Sequence, residues 1–115
     1  MCDSLKILST VKSGELSFCE NCKIYHLEFN NLYFVFNDKE FDYFKDYISD
    51  LDCQYWECKY AKTAFKKKIP VPSMQENLVL MFSRQEVEEL RFLANCKRKS
   101  NFIKVDDIDY KFVLN

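Results

Sequence analysis

The sequence contains few of the residues that build flexible loops and nucleotide-binding turns. Its 115 residues include one glycine, two prolines and one histidine. A dinucleotide-binding fingerprint and a P-loop each require several glycines, so both of these classes of nucleotide-dependent enzyme are excluded. The lone His26 has no serine or aspartate at a spacing that identifies a nucleophile and its base. The sequence therefore predicts a protein that is not an enzyme, with no catalytic residue and no cofactor.

Long hydrophobic runs and an excess of charge of one sign are also missing. No window approaches the roughly 18 apolar residues of a membrane span, and the N-terminus has no basic region followed by an apolar run. Seventeen basic and eighteen acidic residues give a net charge of −1, which implies no bulk attraction to nucleic acid or to an anionic membrane. We therefore expect a cytoplasmic protein without a membrane partner, in which the six cysteines stay reduced.

Apolar and aromatic residues are abundant instead. The chain is 48% hydrophobic and 17% aromatic, and its length suits one hydrophobic core. These values predict a single ordered domain over residues 1–115.

A hairpin followed by a helix is the clearest local prediction. Two apolar runs, Ile24 to Phe29 and Leu32 to Phe36, are separated by Asn30-Asn31, and asparagine tolerates the positive φ of a tight turn. Apolar residues then recur at helical spacing from about Asp38 to Ser49. Asn37 and Glu40 have the spacing of a capping box, which predicts the start of this helix.

The same order of elements recurs 46 residues later. An apolar run from Leu78 to Phe82 precedes Ser83 and Glu86, which are again spaced as a capping box, and a second helical stripe follows. Strand-like runs precede the hairpin and this second unit: KILSTV and ELSFC in the first half, and YWECKY, TAFKK and IPV in the second. We predict internal repeats at about 6–51 and 52–97, each a strand-strand-helix unit or four strands plus a helix. A further hairpin is expected at about 102–114.

These elements predict an α+β fold. The mainly antiparallel sheet would have two amphipathic helices on one face, because each helix must bury its apolar stripe and the sheet must bury one side. Pro70 and Pro72 cannot donate to a central ladder, so their strand is expected at an edge or a bulge.

The cysteines suggest one candidate metal site. Cys19 and Cys22 have the two-residue gap of a zinc knuckle, and Cys53 and Cys58 could supply a second pair, which would complete a tetrahedral zinc site of four thiolates. The alternative is a set of buried, reduced cysteines that pack as small hydrophobic residues. His26 would lie roughly 13 Å along the strand from Cys22, which makes it a poor fourth ligand and favours a partly exposed strand histidine.

A second alternative is single-stranded nucleic-acid binding. Aromatic residues on a strand face can stack bases while lysines follow the phosphates, and the candidates are Trp56, Tyr60, Lys66, Lys67 and Lys68. A duplicated four-strand-plus-helix unit is similar in outline to the Pur-type repeat, although no sequence motif of that family is matched. The even charge balance opposes this hypothesis, and a solvated basic edge strand explains the lysines equally well.

The stretches CENCKIYHLEFNNLYF, YWE, KIPVP and NLVLMFSRQEVEEL together resemble a family of small uncharacterised bacterial proteins. Its members share a Cys-x-x-Cys stretch before a hairpin and a later Ile-Pro segment before a strand and helix. The likeness covers residues of about 6 to 95 and implies no activity. The leading functional hypothesis is a non-enzymatic binding or regulatory module that contacts a protein partner or a second copy of itself, because aromatic residues exceed what two helical stripes need.

Overall fold

The computed structural model describes residues 5–95. Four antiparallel strands form a meander in the order β1-β2-β3-β4. Their bounds are β1 Leu5–Val11, β2 Gly14–Cys19, β3 Ile24–Phe29 and β4 Leu32–Phe36. The first two strands and the β3–β4 hairpin were predicted from their apolar runs, and the structure confirms them.

The β3–β4 hairpin turns at Asn30 and Asn31. Phe29 pairs with Leu32 across this two-residue turn, and Asn30 has a φ of 53°. Asparagine is one of the few residues that adopts this left-handed conformation at small cost. The predicted turn is therefore confirmed, with Asn30 supplying the positive φ.

Two helices begin at capping boxes, as predicted. Helix α1 (Asp38–Asp50) starts at Asn37, whose side chain accepts from the Glu40 amide while Glu40 accepts from the Asn37 amide. After the short helix α2 (Cys53–Lys59), helix α3 (Arg84–Ala94) starts in the same way at Ser83 and Glu86. Each cap satisfies backbone donors that the first helical turn leaves unpaired.

The segment YWECKY is a correction to the sequence prediction. It was expected to be strand-like, but most of it lies in α2. Asp52 caps this helix by accepting from the Tyr55 amide at 3.1 Å, and this local bond outweighs the strand propensity of the aromatic residues. The next strand-like run, Thr63 to Lys67, forms bends and no strand.

A second, two-stranded antiparallel sheet precedes α3. It pairs β5 (Ile69–Pro72) with β6 (Val79–Phe82). Within the described part of the chain this sheet has only these two strands, so both are edges and Pro70 and Pro72 lie in an edge strand as predicted. The ring of Phe82 meets that of Phe29 edge-on, with centroids 5.9 Å apart, which joins the two sheets through the core.

Helices α1 and α3 cover one face of the four-stranded sheet. Helix α3 packs on β1 and β2, α1 packs on β3 and β4, and the two helices contact each other. The ring of Phe44 in α1 packs against two rings of β4. Its centroid lies 5.6 Å from that of Phe34 and 5.0 Å from that of Phe36. The predicted α+β fold, with its mainly antiparallel sheet and two amphipathic helices, is confirmed.

Polar contacts attach α3 to the turns and the first strand of the sheet. Asn30 donates to Glu86 at 3.1 Å, Ser13 donates to Glu89 at 2.7 Å, and Ser9 donates to the Leu93 carbonyl at 2.9 Å. These bonds follow the helix from its first turn to its last. Helix α3 is thereby fixed along its length to the strands of the first half of the chain.

The strand-strand-helix order occurs twice, as β3-β4-α1 and as β5-β6-α3. The larger predicted unit of four strands plus a helix is present in the first half, where β1 to β4 precede α1. In the second half α2 stands where further strands were expected. The predicted hairpin at about 102–114 lies outside the described residues.

Gly14 allows β2 and β3 to approach closely. A Cβ atom at this position would overlap the Glu28 carbonyl oxygen and lie 2.9 Å from the Phe29 Cα. Both neighbours belong to the backbone of β3 and cannot move aside as a side chain would. The only glycine of the chain is therefore required by contact between strands.

Candidate binding groove

An apolar groove runs along the edge of β4 that faces away from β3. It has a volume of about 370 Å³, and its walls come from β4, α1 and the β5–β6 hairpin. We call it the β4 groove. All five residues of β4 line it, and because alternate strand residues face opposite sides, the groove must follow the edge of the strand. Among the described residues β4 pairs only with β3.

The edge of β4 presents backbone groups to the groove. A two-residue hairpin is closed by a hydrogen-bonded pair, here Phe29 and Leu32, and such pairs alternate along an antiparallel ladder. The backbone N–H and C=O groups of Tyr33 and Val35 therefore point away from β3. Both side chains are 55% exposed, so this edge is accessible as well as unpaired within the described part of the chain.

The two other walls of the groove are apolar and partly exposed. Helix α1 contributes Tyr43 and Tyr47, and the hairpin contributes Met74 and Leu78. Tyr43 is 69% exposed and Met74 is 70% exposed. Burial, together with the neighbouring Tyr43, raises the pKa of Tyr47, so its phenol stays protonated and can donate a hydrogen bond. Such a concentration of accessible apolar side chains is typical of an interaction surface.

An acidic pocket adjoins the β4 groove and shares Tyr43 and Tyr47 with it. Its walls also include Asp46, Asp50 and Asp52, and no lysine or arginine is among its lining residues. Helix α1 carries five acidic and two basic residues. The continuous surface is therefore apolar along β4 and negatively charged beside the C-terminal half of α1.

The four candidate zinc ligands lie in two separate parts of the fold. Cys19 ends β2, Cys22 lies in the following turn, and Cys53 and Cys58 belong to α2. No group of three or more histidine, cysteine, aspartate or glutamate side chains within residues 5–95 is arranged to hold a metal ion. The described structure therefore does not bring the two cysteine pairs together.

The individual cysteines differ in environment. The Cys22 amide donates to the Cys19 sulfur at 3.3 Å, and Cys19 is disulfide-bonded, in contrast to the expectation that all thiols stay reduced. Cys22 and Cys58 are exposed thiols, whereas Cys53 is buried. Burial raises the pKa of the Cys53 thiol, although Arg91 and Arg84 partly oppose this effect.

His26 is a half-buried strand residue, as its position in the sequence indicates. Its Nδ1 atom lies 2.7 Å from the Tyr33 hydroxyl, and the two rings stack with centroids 5.8 Å apart. Its Nε2 atom is buried and has no hydrogen-bond partner among the described residues. The ring therefore orients Tyr33 at the rim of the β4 edge.

The residues proposed for nucleic-acid binding are not arranged on a strand face. Trp56 lies in α2 and its ring stacks on that of Tyr60, the residue that ends this helix, with centroids 5.8 Å apart. The Nζ atom of Lys59 lies above the Trp56 ring, 5.2 Å from the ring centroid. Lys67 forms an ion pair with Glu86 at 2.8 Å. Lys68 donates to the carbonyls of Thr63 and Phe65. Lys66 is exposed.

The β4 groove was not found from the sequence. Its walls come from β4 and α1, which are consecutive along the chain, and from the distant β5–β6 hairpin, which only the assembled fold brings beside them. One signal was present: exposed positions on β4 and on the second hairpin carry large apolar side chains such as Tyr33, Val35, Met74 and Leu78. A strand or hairpin with apolar residues on both faces indicates a surface that a partner covers.

The comparisons with known proteins establish a family but no activity. A family model described as a family of unknown function, DUF6686, matches residues 1–115. The chain belongs to this family. No curated protein and no solved structure matches the chain. No helix within residues 5–95 is long and apolar enough to cross a membrane.

Proposed function

We propose that this member of the DUF6686 family is a small non-enzymatic binding module that holds a segment of a protein partner in the β4 groove. The observation that carries the proposal is the apolar groove itself, which joins a strand edge that is unpaired within residues 5–95 to exposed aromatic side chains. Tyrosine and methionine are enriched at the centres of protein interfaces.

The rest of the described surface supports this choice of site. The pocket beside α2 is more open to solvent than the β4 groove and has less apolar surface along its walls. Exposed apolar residues such as Ile7 and Phe92 lie on other elements and do not line the groove. The β4 groove is therefore the described surface best suited to bury apolar area on binding.

Site-specific photo-cross-linking in cells that naturally express the protein tests the proposal. A photoreactive phenylalanine at position 43 would probe the groove, and one at position 92 would be the control, because Phe92 is similarly exposed on α3 but lies outside the groove. We expect one adduct of defined mass from position 43 and none from position 92. The substitution Met74→Lys, which places a charge in the groove, should abolish the adduct.

Equal labelling from positions 43 and 92, or an adduct that survives Met74→Lys, would refute the assignment of the groove. An adduct of twice the mass of the chain would contradict a separate partner and show that the groove joins two copies.

A further inference from the structure

We infer that the ligand of the β4 groove is an extended peptide with alternating apolar residues and a basic end, which pairs with β4 as an added strand. This inference rests on the proposed function and specifies the chemistry of the partner. It follows from three features of the groove: its backbone edge, its apolar walls and its neighbouring charge.

The backbone edge selects an extended conformation. The outward N–H and C=O groups of Tyr33 and Val35 are spaced for a fifth strand, and a strand added to an exposed sheet edge satisfies such groups. A helical ligand has its backbone groups already paired and would leave this edge uncovered. All five residues of β4 line the groove, so a strand paired with this edge would lie in it.

The walls select apolar side chains at alternate positions. A strand beside β4 would direct every second side chain toward the helix side of the sheet. On that side the groove is lined by Phe34 and the buried Phe44 and Leu80, and its exposed lining includes Tyr43 and Met74. The intervening side chains would face solvent on the other side of the sheet and can be polar.

The charge selects a basic end. The acidic pocket continues the groove past Tyr43 and Tyr47 and contains Asp46 and Asp50. Neither aspartate forms an ion pair with a residue in the described range. A lysine or arginine of the ligand would be attracted by these carboxylates. The ring faces of Tyr43 and Tyr47 would attract it as well. An acidic ligand would be repelled at the same position.

Peptide binding to the full-length protein tests the inference. The probe is a nine-residue peptide in which Lys-Arg-Lys is followed by alternating valine and threonine. A second peptide replaces the basic residues with Glu-Asp-Glu, and a third places proline at alternate strand positions, which prevents strand pairing. Fluorescence anisotropy of labelled peptides gives the affinities, and amide hydrogen exchange followed by NMR locates the bound strand.

We expect the basic peptide to bind at least tenfold more tightly than the other two. Exchange of the Tyr33 and Val35 amides should slow when it binds, whereas that of the Thr10 amide on β1 should not change. The substitution Asp46→Asn should weaken binding about threefold at low salt, because an exposed charge pair contributes up to about this much. The matched control Asp42→Asn, on the same helix but outside both the groove and the acidic pocket, should leave the affinity unchanged.

Three results would overturn the inference. The acidic peptide could bind as tightly as the basic one, or protection could appear at β1 in place of β4. The Tyr33 and Val35 amides could also be slow to exchange in dilute free protein, which would indicate that a segment of this chain, such as the basic and apolar run KRKSNFIKV at 97–105, already fills the groove. If no probe binds while the position-43 adduct persists, this inference fails and the proposed function stands.

Discussion

The guanidinium of Arg91 caps the C-terminus of α1 by donating from Nη2 to the Leu51 carbonyl at 2.6 Å. Its Nε atom donates to the Ile48 carbonyl at 3.0 Å, and Nη1 donates to Glu88 at 3.0 Å. Helix α1 has no basic residue in its own last turn. An arginine from α3 therefore supplies the positive charge that a helix C-terminus favours, and it joins the two helices that cover the sheet.

Replacing this arginine should destabilise the fold. We expect Arg91→Met to lower the free energy of unfolding by about 2 kcal/mol, because charged hydrogen bonds to half-buried carbonyls are lost. Urea denaturation followed by circular dichroism measures the change. The control is Arg84→Met, which removes a solvent-exposed ion pair with Glu57 and should have a smaller effect. An equal effect of the two substitutions would contradict the capping role of Arg91.

Gly14 gives a second prediction about stability. We expect Gly14→Ala to lower the free energy of unfolding by about 3 kcal/mol, because the new methyl group would overlap the β3 backbone at Glu28 and force the strands apart. Thermal denaturation measures this effect. Lys12→Ala, at an exposed position in the adjacent turn, should leave the melting temperature nearly unchanged. A Gly14→Ala protein as stable as the original would show that β2 and β3 are not packed as described.

The lowered pKa of Glu86 should make the stability of the fold depend on pH. Burial alone would raise the pKa of Glu86, but hydrogen bonds from Lys67 and Ser83 outweigh it and hold the pKa below its ordinary value. A carboxylate whose pKa is lower in the folded state stabilises the fold above its unfolded pKa, and this contribution is lost as the pH falls through the folded pKa. Glu86→Gln keeps the capping geometry but does not titrate.

Urea denaturation at several pH values tests this prediction. At pH 7 the free energy of unfolding should be larger for the original protein than for Glu86→Gln. This difference should shrink as the pH falls below about 4.5, the ordinary pKa of a glutamate. The control Gln75→Ala, at an exposed loop position without a titratable side chain, should differ from the original protein by an amount that does not change with pH. If the gap between the original protein and Glu86→Gln does not change with pH, the ion pair with Lys67 does not set the pKa of Glu86.

The two thiols of α2 should react at different rates. Cys58 is exposed, whereas Cys53 is 6% exposed and its pKa is raised by burial, so iodoacetamide should modify Cys58 much faster. Peptide mapping by mass spectrometry gives the two rates, and Cys58→Ser assigns them. Because the described residues do not bring Cys58 near Cys19 and Cys22, a chelator should leave its rate unchanged. Acceleration by the chelator would instead show that a metal ion binds the Cys58 thiolate.

Local features of the fold could be predicted from the sequence. The capping boxes at Asn37 and Ser83 each join residues three positions apart, and the Asn30 turn depends only on the conformational preference of one residue. Short-range chemistry of this kind is visible in a single sequence. It is sufficient for the hairpin, for both long helices and for the α+β class.

Long-range features could not be predicted in the same way. Arg91 and Leu51 are 40 residues apart, and no periodicity relates them. The β4 groove requires the β5–β6 hairpin to lie beside α1, which only tertiary packing decides. Helix α2 was missed for a different reason: its aromatic residues fit a strand, and a single capping aspartate, Asp52, decided the outcome.

The bonds from Ser9, Ser13 and Asn30 to α3 have a consequence for how the chain folds. They place the helix of the second unit on the sheet of the first, so neither unit holds all of its own apolar cover. The two copies of the strand-strand-helix pattern should therefore unfold in one cooperative transition, unlike the repeats of a solenoid, which each contact only their neighbours. The stability of each strand-strand-helix unit should therefore depend on the presence of the other.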